Sequence, residues 1–204
     1  MEQWLSWIKK LQAIAQNGLT YNKNPHDLSN YEAIRDIAAE MLAAGSNLSK
    51  PEILQLFASN MGYATPKIDV RGAVFKDEAI LLVQEKADNC WSLPGGWADI
   101  NDSAGEAVVR EIREEAGLIT KAVKLIAFID KHKHKHPLES LHAYKAFFLC
   151  DFVSGQVATN HETLDVGFFT LDNLPALSTP RVTVEQIQMC YKHYHQRDLP
   201  TEFD

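Results

Sequence analysis

With 204 residues and 46% apolar side chains, the chain is long enough for one large or two small globular domains with a sizeable core. Its formal net charge of −7 argues against general nucleic-acid binding, which relies on Lys and Arg to neutralise phosphate, and implies that an anionic substrate would need metal ions. Cys90, Cys150 and Cys190 form no Cys-x-x-Cys or Cys/His cluster, and no apolar run approaches the roughly 18 residues of a membrane span. The expectation is a cytoplasmic protein with reduced thiols and no membrane partner.

Trp4, Leu5, Trp7, Ile8, Leu11, Ile14 and Ala15 recur at helical spacing, and Asn17-Gly18 is expected to close that helix. A second helix opens at Asp27 or Ser29, carries Tyr31, Ile34, Ile37, Ala38, Met41 and Leu42, and stops at Gly45. A third begins at Ser49, with Pro51 in its first turn and Glu52 completing a capping box, and runs to about Asn60. Residues 1–62 therefore read as a small all-helical domain. It holds five Lys and Arg against six acids, so packing or dimerisation is expected of it rather than DNA binding.

After the linker Gly62–Pro66, the runs from Ile68 to Phe75 and Ala79 to Val83 read as a hairpin turning at Lys76-Asp77-Glu78. Trp91-Ser-Leu93 then leads into Pro94-Gly95-Gly96, where two glycines leave room for backbone to approach a ligand and proline stiffens the turn.

Ser103 and Glu106 form a capping box, and Gly117 stands where a left-handed terminator belongs, so the spacing predicts a helix over Ala104–Ala116. Ala107, Val108, Ile112 and Ala116 make its buried stripe, while Glu111, Glu114 and Glu115 share a neighbouring face. At about 5–6 Å and an effective dielectric near 20, each carboxylate pair repels by roughly 3 kcal/mol. A divalent cation reverses that sign, and hard oxygen ligands suit Mg²⁺ or Mn²⁺, ions that commonly serve phosphate chemistry. Arg110 can bond Glu114 one turn on.

These residues resemble the Nudix box, G-x5-E-x7-R-E-U-x-E-E-x-G-U with U aliphatic, laid on Gly96 to Leu118. Gly96, Arg110, Glu111, Ile112, Glu114, Glu115, Gly117 and Leu118 match. Asp102 stands where the family has Glu, an acid that anchors the helix start and the box arginine, and its shorter side chain keeps the charge but loses reach. The run Trp4-Leu-Ser-Trp7 with Leu11 to Tyr21 also resembles the amino-terminal helical domain of a bacterial Nudix branch acting on nucleoside diphosphates linked to a second group, X.

The resemblance implies an α/β fold, a Nudix mixed-sheet α/β/α sandwich over 67–204 preceded by the helical domain, and a homodimer helped by the amino-terminal helices. It implies Mg²⁺ (or Mn²⁺) held by Glu111, Glu114, Glu115 and the Gly95 or Gly96 carbonyl, with Arg110 orienting Glu114. The substrate would be a small nucleoside diphosphate derivative, CDP-choline or ADP-ribose, cleaved to a nucleoside monophosphate and phospho-X. Arg71, Glu85 and Trp97 flank the predicted site in sequence and are candidates for phosphate, head-group and ring contacts. The alternatives are a non-catalytic Nudix-fold sensor and an RNA 5′-end pyrophosphohydrolase.

Beyond the box helix, Val123–Asp130 and Ala143–Phe152 read as strands joined by Lys131-His-Lys-His-Lys-His-Pro137. If extended, that segment puts three lysines on one side and three histidines on the other, although a solvated tip is the commoner outcome. His161 to Phe169 followed by Asp172-Asn-Leu-Pro175 resembles the loop, strand and short helix after the family's core sheet, where Glu162 would bind metal or accept a proton. A last helix is predicted over Val184–His195 with Ile187, Cys190, Tyr191 and Tyr194 buried, followed by an irregular tail.

Overall fold

The structure, a computed structural model, describes residues 2–58, 62–137 and 142–204. They form two compact units: one holds the described residues up to Pro66 together with His142, and the other holds Lys67–Pro137 and Ala143–Asp204. No helix among the described residues is long and apolar enough to cross a membrane.

In the first unit, α1 (Glu2–Tyr21), α2 (Pro25–Ala44) and α3 (Lys50–Ala58) enclose Leu5, Ile8, Ala38, Ala39, Leu42 and Ile53. Gly18 does not end α1. It lies where α2 approaches, and a Cβ there would come within 2.4 Å of the Tyr31 ring, so close helix contact explains the glycine. The start of α2 also differs from expectation. Asn24 caps it by accepting from the His26 amide at 3.0 Å, and Pro25 occupies the first turn, where its missing N–H leaves no bond unmade. Gly45 does end α2, with the Trp4 indole packed so closely that a Cβ would sit 2.3 Å from it. The Glu52 carboxylate accepts from the Ser49 amide at 2.8 Å, which fixes the start of α3; its expected end near Asn60 lies outside the described residues.

The second unit is built on β1 (Lys67–Lys76), β2 (Ala79–Glu85), β3 (Trp91–Ser92), β4 (Leu118–Asp130), β5 (Ala143–Gly155), β6 (Thr163–Phe169) and β7 (Glu202–Phe203). The strand order is β3-β2-β1-β5-β4-β7, with β6 antiparallel along β2; β1 and β5 are parallel, so the sheet is mixed. Asp77 and Glu78 adopt positive φ to turn β1 into β2, the backbone twist that a two-residue hairpin needs. Strand alternation divides the core. Val70, Val74, Leu81 and Val83 pack on α4 (Ala104–Ala116) through Ala107, Val108 and Ile112. Ala73, Ile80, Leu82, Phe147 and Leu149 pack on α5 (Val184–His195) through Ile187, Cys190 and Tyr191. The result is the expected α/β/α layering, in which truncating the fully buried Ile112 to Ala would cost about 2–5 kcal/mol.

Three expectations change here. The strand after Gly117 begins at Leu118, five residues before Val123, because pairing with β5 outweighs the weak local pattern. Lys131–Lys133 forms a 3₁₀ turn in which Asp130 accepts from the His132 amide at 2.9 Å, so lysines and histidines do not alternate across an extended chain, and Lys131 is buried. The tail is ordered: Glu202 and Phe203 add β7 in parallel to β4, while Lys124 Nζ donates to the Leu199 carbonyl at 2.6 Å.

Candidate active site

The glycine loop runs along β1 as an extra edge. Gly72 N–H donates to Pro94 O at 2.9 Å, Val70 N–H to Gly96 O at 2.8 Å, and Ala98 N–H to Ile68 O at 3.0 Å. Gly95 has φ +142°, and a Cβ on it would fall 2.0 Å from the Val70 carbonyl, so only glycine permits this approach. Its N–H donates to Glu115 Oε2 at 2.8 Å, which ties the loop to the far end of α4.

That helix begins at Ser103, whose amide donates to Glu106 Oε2 at 2.9 Å while Ser103 Oγ accepts from the Glu106 amide at 3.3 Å. It ends at Gly117 with φ +72°. Between these caps Glu115 is buried, Glu111 is mostly buried, and Glu114 is half-exposed. Glu111 lies over Gly96: a Cβ on that glycine would be 3.5 Å from its carboxylate oxygens. Burial pushes the Glu115 carboxyl up to about 8, against the opposing pull of the Arg71 guanidinium and the Gly95 amide, and burial raises Glu111 as well.

Arg110 organises the acids around it. Its Nε donates to Asp102 Oδ2 at 3.0 Å, and its Nη1 to Glu111 Oε1 at 2.9 Å and Glu114 Oε2 at 3.3 Å. The shorter Asp102 therefore does reach the box arginine. Nη2 lies 3.1 Å from Asp99 Oδ2 without hydrogen-bond alignment. Sequence reasoning passed over Asp99, whose only signal was its place in the turn before the helix.

The remaining candidates separate. Arg71 is buried beneath the loop, with Nε on Asp69 Oδ1 at 2.8 Å and Nη1 on Leu93 O at 3.0 Å, so its guanidinium is engaged by the protein rather than presented to a substrate. Burial works against charge on Asp69, yet Arg71 and Lys145 together hold its carboxyl below the usual range. Glu85 is engaged by Ser92 Oγ at 2.6 Å and Arg181 Nε at 3.1 Å. Trp97 is 45% exposed and pairs its backbone with Asp69. Glu162 sits at an exposed turn, 3.3 Å from His161 Nε2; the next residue, Thr163, donates to the Glu115 carbonyl at 3.2 Å. Arg181 and Lys145 were missed. Arg181 carried no local signal, but Lys145 is the one charge in the apolar run Ala143-Tyr-Lys-Ala-Phe-Phe-Leu149, which marks a buried ion.

Glu111, Glu114 and Glu115 with the Gly96 carbonyl, which keeps one lone pair beyond its Val70 bond, are a hard oxygen set. Two of these carboxylates are held up by burial and are only partly offset by Arg110 and Arg71, so the residues fit a divalent cation.

A family model described as the NUDIX domain matches residues 66–188, and one described as a UDP-X-like, N-terminal oligomerisation domain matches residues 2–57. YjhB of Bacillus subtilis, provisionally named an ADP-ribose pyrophosphatase, is 44% identical over 202 residues, covering 99% of this chain and 97% of its own. The crystal structure of an ADP-ribose pyrophosphatase from Streptococcus suis matches at 44% identity with a TM-score of 0.64, covering 69% of this chain and 100% of that one. A crystal structure of a UDP-X diphosphatase matches at 34% identity with a TM-score of 0.65, over 99% and 98% of the two chains.

Proposed function

Since the chain belongs to the Nudix family and is a Nudix pyrophosphatase, we propose that it hydrolyses the diphosphate of ADP-ribose with a divalent metal, Mg²⁺ or Mn²⁺, to AMP and ribose 5-phosphate. One observation carries this reading: Glu115 held on the Gly95 amide and Glu111 laid over Gly96 form a largely buried acidic cradle beside bare backbone. Glu111, Glu114, Glu115 and the Gly96 carbonyl would hold the ion. When bound, it neutralises diphosphate charge and acidifies water.

The chain's own residues supply the rest. Arg110 fixes Glu111 and Glu114 in one orientation, and the Gly95 amide does the same for Glu115. Glu162, on the turn that leads to Thr163, serves as proton acceptor for the attacking water. Trp97 offers an exposed ring for the base. ADP-ribose is preferred to CDP-choline because Glu85, the acid expected to meet a cationic head group, is taken by Arg181 and Ser92.

The residues 1–62 and 67–204 are read as two domains, the first serving as a dimerisation element. Trp7, Ile14 and Tyr21 recur every seven residues on α1 and are 52%, 52% and 65% exposed, an apolar stripe suited to a second copy. Light scattering on the wild type and on a Trp7→Glu/Ile14→Glu variant tests this; a monomeric wild type rejects it.

The activity test is a screen of ADP-ribose, CDP-choline and UDP-linked sugars with Mg²⁺, Mn²⁺ or EDTA, following monophosphate release. AMP from ADP-ribose, abolished by EDTA, is expected. Failure to cleave any compound favours the sensor, and turnover that survives EDTA removes the metal from the mechanism.

A further inference from the structure

A buried side-chain path leads from β5 to the glycine loop. Lys145 on β5 and Asp69 on β1 are register partners, so their side chains leave the sheet together on one face. Lys145 Nζ donates to Asp69 Oδ2, and Asp69 Oδ1 accepts from Arg71 Nε at 2.8 Å. Arg71 Nη1 in turn donates to Leu93 O, at the foot of the loop, at 3.0 Å. Lys145 is 0% exposed, and Asp69 and Arg71 are 5% each. Burying three ions is costly, and well-packed apolar side chains would serve stability as well or better.

Geometry gives a reason for keeping them. Asp69 and Arg71 alternate along β1 with Ile68, Val70 and Gly72, whose backbone groups carry Ala98, Gly96 and Pro94. The path therefore stiffens the same short segment that supports the loop. Glu115 and Glu85 both act on the Arg71 guanidinium through their charge, so its placement enters the charge balance behind the cradle. Asp69 shared between two cations leaves one positive charge over, within the electrostatic reach of those acids.

We propose that Lys145 and Asp69 are positioning residues for this site: they fix Arg71, and through it the Leu93–Gly96 loop and Glu115, in the geometry that binds the divalent ion. The inference rests on the metal-dependent reading above, and its test separates the two. Mn²⁺ binding to the full chain is measured by calorimetry without substrate, alongside kcat, KM and thermal unfolding, for the wild type, Lys145→Met, Lys145→Arg and Asp69→Asn.

Lys145→Met and Asp69→Asn are expected to weaken Mn²⁺ binding about 10-fold, in the range typical of residues that orient metal ligands, with kcat lowered and KM for ADP-ribose changed less than about 2-fold. Lys145→Arg, which keeps the charge, should recover most of both. Wild-type Mn²⁺ affinity in the folded Lys145→Met and Asp69→Asn variants overturns the proposal, as does failure of both to fold, which would assign the path to stability alone. Mn²⁺ binding that follows this pattern in a protein that hydrolyses none of the substrates supports the positioning role while refuting the proposed activity.

Discussion

The Gly95 amide and the Glu115 carboxylate meet at 2.8 Å across 20 residues of chain. This single bond closes the box upon itself: the loop supplies a donor that no side chain blocks, and the helix supplies a buried acceptor. Charge on Glu115 is poorly tolerated where it stands, since burial raises its carboxyl to about 8. A site built on such a residue is short of a cation.

Glu115→Gln keeps an oxygen acceptor for the Gly95 amide but removes the charge. Activity should fall at least about 100-fold, equivalent to roughly 2.7 kcal/mol of lost transition-state stabilisation, while the circular-dichroism spectrum and unfolding midpoint stay near those of the wild type. A fully active variant would sink the assignment.

The two loop glycines should respond differently to alanine. At Gly95 the new Cβ meets the Val70 carbonyl at 2.0 Å on a φ of +142°, and neither backbone can yield, so Gly95→Ala should lose about 3 kcal/mol or more together with activity. At Gly96 the nearest atoms are Glu111 carboxylate atoms at 3.5 Å, an ordinary contact. Gly96→Ala should therefore fold within about 1 kcal/mol of wild type and lose turnover by crowding the cradle. Urea unfolding and initial rates measured on both variants separate the effects.

Arg110→Lys tests the fork. One ammonium cannot reproduce directed bonds from Nε to Asp102 and from Nη1 to Glu111 and Glu114. A drop in kcat of about 10-fold is expected, with little change in unfolding midpoint, because these groups are partly solvated. Equal kcat for the two proteins would show that charge alone suffices.

His136 links the Lys/His segment to α5. Its Nδ1–H donates to Thr179 O at 2.7 Å, and Nε2 accepts from Gln186 Nε2 at 2.9 Å, an arrangement open only to the neutral ring. Burial, aided by Lys145 and Lys131, pushes its pKa down from 6.5 to about 4. A depressed folded-state value means the contribution is present above about 6.5 and is lost as pH falls towards about 4. His136→Gln should be less stable at pH 7.5 and show a flatter decline over that window in thermal unfolding; parallel curves would exclude His136 as the source.

Local chemistry in the sequence determined the box helix through its caps and α5 through its periodicity, because both signals lie within a few positions of the segments they fix. The same reasoning gave the hairpin at Asp77-Glu78, the acidic face, and through the box the family and reaction type. Tertiary structure decided what local pattern cannot hold. Gly18 and Gly95 are glycines because of a ring and a carbonyl from other elements, and the tail is a strand because β4 offers an edge. Arg71 looked available beside the box but is consumed by Asp69 and Leu93, while Lys145, about 50 residues beyond the loop in sequence, reaches its foot through strand register. A side chain's partner depends on which strands become neighbours, and that is settled only when the whole sheet closes over its core.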